Sequence, residues 1–324
     1  MTGIRITHAS GAPSGTESGE PADAGALTGA RALIAEAERV DGTPPVSDQA
    51  VIAAERGERA LLAFAVDPEE DLPSPAAVGI LGGGEVDLVV HPAARGRGVG
   101  TAALTELLRG SDGELRAWSH GENPAADALL ASAGFSPVRE LLRMALDPAR
   151  LSSGRDPLAL PTPHGMELRA FDPSREADAE AWVRVNAASF AAHPEQGRIT
   201  LEDFALMRRE PWFDPSDLIL LADTSGTAAA GDDRLAGSTW IKTVRGDRVE
   251  CELYAVGVRP EYAGRGLGRL LLDVTLARMA QHAPDRVTLY VDGDNEPAVH
   301  LYEAAGFAVE SRSRQWRRGA SGSA

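Results

Sequence analysis

Two glycine-rich turns carry the first chemical signal in this sequence. Arg95-Gly96-Arg97-Gly98-Val99-Gly100-Thr101 and Ala263-Gly264-Arg265-Gly266-Leu267-Gly268-Arg269 each follow an apolar, β-branched run and open an amphipathic segment. A strand that ends in such a turn at a helix start is an anion cradle. Glycine lets the backbone approach closely, and the unpaired N–H groups of the first helical turn point at a phosphate along the helix dipole. Neither turn has the Gly-x-Gly-x-x-Gly spacing of a nicotinamide fingerprint or the Gly-Lys-Ser/Thr ending of a P-loop, so the pyrophosphate of another carrier remains.

The two turns belong to a duplication. Glu85 to Pro92 leads into the first turn and Glu252 to Pro260 into the second, and Pro92/Pro260 and Gly98/Gly266 pair at one constant offset. Further on, Asn123-Pro124-Ala125 through Ala133-Gly134-Phe135 matches Asn295-Glu296-Pro297-Ala298 through Ala305-Gly306-Phe307, at an offset four residues longer.

Each copy must then supply the same positioning elements: a strand into the turn, an amphipathic helix, a strand, a short helix opening near Asn, and a closing strand after Gly-Phe. In the second copy the pattern predicts elements over 250–258, 265–282, 286–291, 296–305 and 307–315. Helices near 175–191 and 200–209 and strands near 217–222 and 235–244 come before them. The fold class is α/β, with two tandem domains, each a mixed, mostly antiparallel sheet flanked by helices. The Gly-, Ser-, Pro- and Glu-rich stretch 1–25 reads as a disordered tail. The first domain is expected over 26–147, a four-proline linker over 148–165, the second domain over 166–318 and a short tail over 319–324.

Composition limits the function. At 324 residues the chain suits two domains. No run approaches the roughly 18–20 apolar residues of a bilayer span, and the expectation is a cytoplasmic monomer with no membrane partner. The formal charge of -16 argues against a nucleic-acid surface. Cys251, the single cysteine, excludes an intrachain disulfide and a thiolate metal cluster and reads as a buried structural thiol. Lys242 is the only lysine.

These residues together resemble the Gcn5-related N-acetyltransferase (GNAT) family. Its signature is Gln/Arg-x-x-Gly-x-Gly/Ala after a strand, followed some thirty residues later by an Asn at the next helix and then a Tyr before Gly-Phe. The first copy matches the turn throughout; the second departs at Ala263, where Gln or Arg is usual. The resemblance implies acetyl-CoA as acyl donor and no metal. It places the pantetheine arm along Leu88-Val89-Val90 and Val256-Gly257-Val258, the phosphates on the two turns, and Asn295, Glu296, Pro297, Ala298, Val299 and His300 beside the cofactor.

Acyl transfer to an amine needs a base for the ammonium and an acid for the departing thiolate. The family positions for these roles fall on Glu252 and Tyr302, with the Val256 and Val258 N–H groups steadying the thioester carbonyl. At the same offsets the first copy has Gly84 and Leu130. Glu85 stands one residue away, and a shift of one along a strand points a side chain to the opposite face. The first copy therefore reads as cofactor-binding and catalytically silent.

A tandem-domain branch of the family, whose members acetylate the cysteinyl amine of a cysteinyl-glucosaminyl-inositol, is similar over nearly the whole chain. The matching segments are Val40-Asp41-Gly42-Thr43-Pro44-Pro45-Val46, Asn186 to Phe190, His193 to Gly197, Trp212-Phe213-Asp214-Pro215 and Glu252 to Val258. That resemblance implies a small-molecule amine acceptor held by Asp48, Glu195, Lys242, Glu252 and Tyr290. Asp48 is shorter than the glutamate expected there, and Asp292-Gly293 stands where Glu-Ser is commoner. Two other readings stay open: a GNAT enzyme acting on a peptide N-terminus or an aminoglycoside, and a module that senses acetyl-CoA without transferring it.

Overall fold

Both copies of the strand–turn–helix pattern are present in the computed structural model, which describes residues 6–10, 24–66, 72–109, 111, 113–191, 196–225 and 234–320. The chain divides into two compact units. The first runs to Leu142 and also takes Asp292–Asp294 and the chain from Ser311 on; the second comprises Arg143–Val291 and Asn295–Glu310.

In the first unit the elements are β1 (Ile6–Ser10), α1 (Ala24–Asp41), α2 (Asp48–Glu55), β2 (Ala60–Val66), β3 (Ala77–Gly82), β4 (Glu85–Val90), α3 (Val99–Leu107), β5 (Leu115–Ser119), α4 (Pro124–Ser132) and the start of β6 (Ser136–Leu146). The strands lie in the order β1-β2-β3-β4-β5. Beyond β5 lies the end of β12 (Ala308–Arg318), with Arg314 to Arg318 antiparallel to Ser119 back to Leu115. Helix α3 packs Leu104 and Leu107 with Phe64 and Val86 on one face; α1 packs Leu33 and Ala37 with Val78, Ile80 and Val89 on the other.

The second unit holds β7 (Met166–Ala170), α5 (Glu176–Ser189), α6 (Leu201–Met207), β8 (Leu218–Asp223), β9 (Leu235–Arg245), β10 (Val249–Val258), α7 (Leu267–Gln281), β11 (Arg286–Asp292) and α8 (Glu296–Ala305). Its strand order is β7-β8-β9-β10-β11, with the end of β6 from Arg143 on beyond β11. One face is an aromatic cluster in which Trp182 stacks on Phe204 (ring centroids 4.3 Å apart) and Trp240 meets Trp182 edge-on at 5.1 Å. The other is aliphatic, with Leu267, Leu271 and Val274 of α7 against Ile219, Leu221 and Ala236.

The elements agree with the periodicity to within a few residues, and the departures have physical reasons. Ile6–Ser10, inside the stretch read as a tail, is a strand because it pairs with β2, a long-range partner that five residues of local pattern do not announce. Helix α1 likewise starts at Ala24. The proline-rich stretch 148–165 contains two 3-10 turns, Pro148–Arg150 and Pro157–Ala159, each opened by an Asp side chain that accepts a backbone N–H. The unit boundary falls inside β6 rather than at that stretch, because strand pairing and not proline content decides which residues pack together. Among the described residues no helix is long and apolar enough to cross a membrane.

Asp217 ties the aromatic side of the second unit to the end of α7. Its carboxylate is fully buried and accepts from Arg278 Nε at 2.7 Å and Thr243 Oγ1 at 3.1 Å, with His282 Nε2 also 2.7 Å away. Burial alone would push this carboxyl up, but the His282 and Arg278 hydrogen bonds and charges outweigh it and hold it below the usual carboxylate range. The stability it contributes is therefore present above the unfolded carboxylate value and lost as pH falls through the lowered folded one. Asp217→Ala is expected to cost about 3–5 kcal/mol, because it takes from Arg278 the nearer of its two carboxylates, leaving only Asp214 at 3.4 Å, and from His282 its carboxylate partner. Urea unfolding at neutral pH measures this, and the difference from wild type should shrink in acid.

Candidate functional site

The geometry starts from β10, whose two neighbours hold it to different lengths. Its antiparallel ladder with β9 runs from Val249↔Arg245 to Val258↔Gly237, whereas its parallel ladder with β11 stops at Leu253↔Leu289. Val256-Gly257-Val258 therefore has no strand partner on the β11 side. Strand β4 repeats the arrangement, pairing with β3 along its length and with β5 only at Glu85↔Arg116. Each parting leaves extended backbone able to pair with an arm inserted alongside it, as the resemblance implied for Leu88-Val89-Val90 and Val256-Gly257-Val258.

The turns that follow meet the cradle requirement. Gly98 and Gly266 sit immediately before α3 and α7 with φ of 84° and 76°, and no side chain caps either helix. A Cβ at either position would meet nothing within 4 Å, so the left-handed backbone, not crowding, calls for glycine, and the space before the first-turn N–H groups is open. Gly96 and Gly264 are left-handed too. Val99 and Leu267 anchor the helix starts in the cores, while Arg97, Thr101, Arg265 and Arg269 are exposed. Arg265 lies over the Tyr262 ring at 5.1 Å, and Arg269 pairs with Asp273 at 3.0 Å. In the first unit the parted strands and the turn border a cavity of about 420 Å³ lined by Leu88, Val90, Gly96, Gly98, Thr101 and Asn123 among others. Arg95 is held beside it by a two-pronged pair with Asp41 at 2.6 and 2.8 Å.

The two motif asparagines are helix caps. Asn123 Oδ1 accepts from Ala126 N at 3.0 Å and Asn295 Oδ1 from Ala298 N at 3.3 Å, with Pro124 and Pro297 in the first turns. Glu296 and His300 are exposed on α8, and Val299 is half-buried.

On the aromatic face of the second unit a row of polar side chains crosses neighbouring strands. Glu252 of β10 lies opposite Lys242 of β9 and in register with Thr288 of β11, and Tyr290 follows two residues on. Arg143, at the end of β6, lies over the Tyr290 ring at 5.8 Å. Lys242 Nζ lies over Trp212 at 5.4 Å. Burial raises the Glu252 carboxyl, and the Lys242 and Arg143 charges oppose that rise without cancelling it. Among the described residues the side chains of Glu252, Lys242, Tyr290 and Arg143 form no hydrogen bond, although Arg143 Nε pairs with Glu310 at 3.4 Å. Tyr302 of α8 is buried, its ring 6.0 Å from Phe307, and burial pushes its hydroxyl up to about 12. Burial also pushes the Cys251 thiol up to about 11, which suits a structural thiol and not a nucleophile.

The bulge in β10 changes the comparison of the copies. Its register slips between Leu253 and Ala255, so Tyr254 is an extra residue that β4 lacks. Five residues along the partner strand from the Val90 and Val258 pairs, Glu252 faces Lys242 and Glu85 faces Gly82. By register Glu85, not Gly84, takes the Glu252 position, and on the same face; counting along the sequence missed it because a bulge leaves no mark in composition. Glu85 is paired with the buried Arg59 at 3.2 Å, and Asp87 holds the same guanidinium at 2.7 Å. Leu130 stands where Tyr302 stands and lines the cavity.

Of the remaining expected acceptor contacts, Asp48 opens α2 after the Ser47 cap in the first unit. Glu195, with His193, lies outside the described residues. Arg143 went unread in the sequence, though it is the one charge in the apolar run Leu141-Leu142-Arg143-Met144-Ala145-Leu146. No group of three or more His, Cys, Asp or Glu among the described residues is arranged to hold a metal ion.

Comparison with known proteins agrees with this geometry. The model of the acetyltransferase (GNAT) family matches residues 48–135 and 185–307. A mycothiol acetyltransferase from Kineococcus radiotolerans is 42% identical over 295 residues, which cover 89% of this chain and 91% of that protein. One from Clavibacter sepedonicus is 40% identical over 298 residues, 90% and 92% of the two chains. Among solved structures, a tandem GNAT protein from the clavulanic acid biosynthesis pathway shares the fold with a TM-score of 0.63 at 20% identity, over 99% of this chain and all of that one.

Gly257 is the tightest point of the parted strand: a Cβ there would lie 2.6 Å from Ser189 Cβ and 3.2 Å from a Phe190 ring atom. Gly257→Ala is expected to lower stability by about 1–3 kcal/mol through overpacking. Gly266→Ala should cost about 1–2 kcal/mol through backbone strain alone. Thermal or urea unfolding of the two variants distinguishes crowding from strain, since only the first is relieved by Ser189→Gly.

Proposed function

The chain belongs to the acetyltransferase (GNAT) family, and on that premise we propose that it transfers the acetyl group of acetyl-CoA to the free cysteinyl amine of cysteinyl-glucosaminyl-inositol, the step that completes mycothiol. The observation that carries this reading is the match to mycothiol acetyltransferases across about nine-tenths of both chains, which takes in both units. The partings of β4 and β10 and the uncapped N-termini of α3 and α7 suit a pantetheine arm and a pyrophosphate. When bound, acetyl-CoA supplies an electrophilic carbonyl and a thiolate leaving group.

In the second unit Glu252 takes the proton of the acceptor ammonium, directly or through one water. Burial raises its value, which makes it a stronger base than an exposed glutamate, while the charges of Lys242 and Arg143 limit that rise. Tyr302, protonated at any physiological pH, holds the proton that the departing sulfur needs. The Val256 and Val258 N–H groups steady the carbonyl oxygen. Lys242, Glu252 and Tyr290 receive the ammonium and hydroxyls of the acceptor. The first unit binds acetyl-CoA without turning it over: Leu130 has no proton to give, and Glu85 is neutralised by Arg59.

Release of coenzyme A from acetyl-CoA and cysteinyl-glucosaminyl-inositol tests the reading; release no faster than hydrolysis, with acetyl-CoA demonstrably bound, would remove this acceptor. Glu252→Gln and Tyr302→Phe should each lower kcat by roughly 100- to 10,000-fold, whereas Glu85→Gln should change it by less than about twofold, since that carboxylate takes no proton. Because Glu252 must be ionised to act, kcat/KM should fall with decreasing pH along a limb centred above the ordinary glutamate value, and Glu252→Gln should abolish that limb.

A further inference from the structure

Arg143 is the charged residue of the second unit whose position the family assignment leaves unexplained. Its side chain is largely buried (17% exposed) at the end of β6, yet none of its five N–H donors makes a hydrogen bond among the described residues, and Nε is enclosed as well. The Glu310 carboxylate 3.4 Å from Nε offsets the charge without satisfying those donors, and Glu310 is itself held by Arg286 at 2.7 Å. A buried guanidinium in this state costs free energy unless something else accepts its hydrogen bonds. The Tyr290 ring lies 5.8 Å from its Cζ, within reach of a cation–π contact. The fork thus lies beside Tyr290 and within electrostatic reach of Glu252, on the side away from Lys242.

We propose that Arg143 is an acceptor-binding residue: its guanidinium takes oxygen atoms of the polyhydroxylated acceptor and, together with Lys242, brackets Glu252 with positive charge. This rests on the functional reading above. The groups that face Glu252 are Lys242 from β9, Tyr254 on its own strand, Thr288 and Tyr290 from β11 and Arg143 from β6. Removing the Arg143 charge takes away one of the two positive charges that lower the Glu252 value, so the value rises and the acidic limb of kcat/KM moves to higher pH. A neutral side chain at 143 also removes the hydrogen bonds to the acceptor and none to acetyl-CoA.

The test uses the full-length enzyme and its Arg143→Gln and Arg143→Lys variants, with coenzyme A release as the readout. In Arg143→Gln the acceptor KM should rise roughly 10- to 100-fold, the acetyl-CoA KM should be unchanged and the acidic limb should shift upward. Arg143→Lys should restore the limb, because charge suffices, but not the acceptor KM, because an ammonium lacks the planar fork. Wild-type acceptor KM and limb in both variants would overturn the proposal, as would a loss of kcat alone, which marks a structural role. Wild-type inactivity toward this acceptor would sink the functional reading instead. Infrared titration of the Glu252 carboxylate, assigned with Glu252→Gln, then decides for Arg143 without any substrate: an upward shift in Arg143→Gln upholds the bracket, and an unshifted titration overturns it.

Discussion

Strand β10 is bonded to β9 along its whole length and to β11 only as far as Leu253, and most of what the second unit can do follows from that inequality. Up to Leu253 the strand is an interior member of a sheet, and its side chains are placed by neighbours on both sides. Beyond Leu253 one edge is open, in a part of the fold where an unpaired backbone edge is costly unless something pairs with it. Gly257 lets α5 close over the opened segment, since Ser189 and Phe190 occupy the space a side chain would need. The strand then turns through Gly266 into α7, whose first N–H groups are left uncapped. One strand and the turn it runs into thus present an open backbone edge followed by uncapped N–H groups.

The polar row across β9, β10, β11 and β6 depends on the paired half of the same strand. Glu252 sits just before the parting, so it is fixed by two ladders yet close to the opened backbone. Burial raises the free energy of its charged form, and the cations on either side lower it. The balance leaves the carboxyl above the usual glutamate range, because burial outweighs the two opposing charges. The same reasoning explains why Lys242 and Arg143 rest over aromatic rings: a ring holds a cation in place without using its donors.

The first unit keeps the same scaffold but differs at the two positions proposed to act. Its parted strand, glycine turn and asparagine cap match those of the second unit. It also carries a carboxylate at the Glu252 register position. What differs is Arg59, whose guanidinium contacts Glu85 and Asp87, and Leu130, which carries no hydroxyl. In both units the scaffold that suits the donor is independent of the side chains that would act on it.

Much of this was legible in the sequence. Glu252 and Tyr302 were singled out by the family resemblance; the duplication, the order of elements, the two glycine turns and the short helices opening near Asn123 and Asn295 follow from local pattern and spacing, because a helix start, a left-handed turn and a strand period are set by residues close together in the chain. The bulge at Tyr254, the pairing of β1 with β2, the grouping of the last strand with the first unit and the placing of Arg143 beside Tyr290 do not. Each depends on which distant strand lies alongside, and hydrogen-bond register between strands has no local signature. Sequence determined the kinds of groups present and the folds they build. Tertiary structure decided which carboxylate is a free base and which is tied to an arginine, because that is settled by the charges and the burial that distant segments bring to each one.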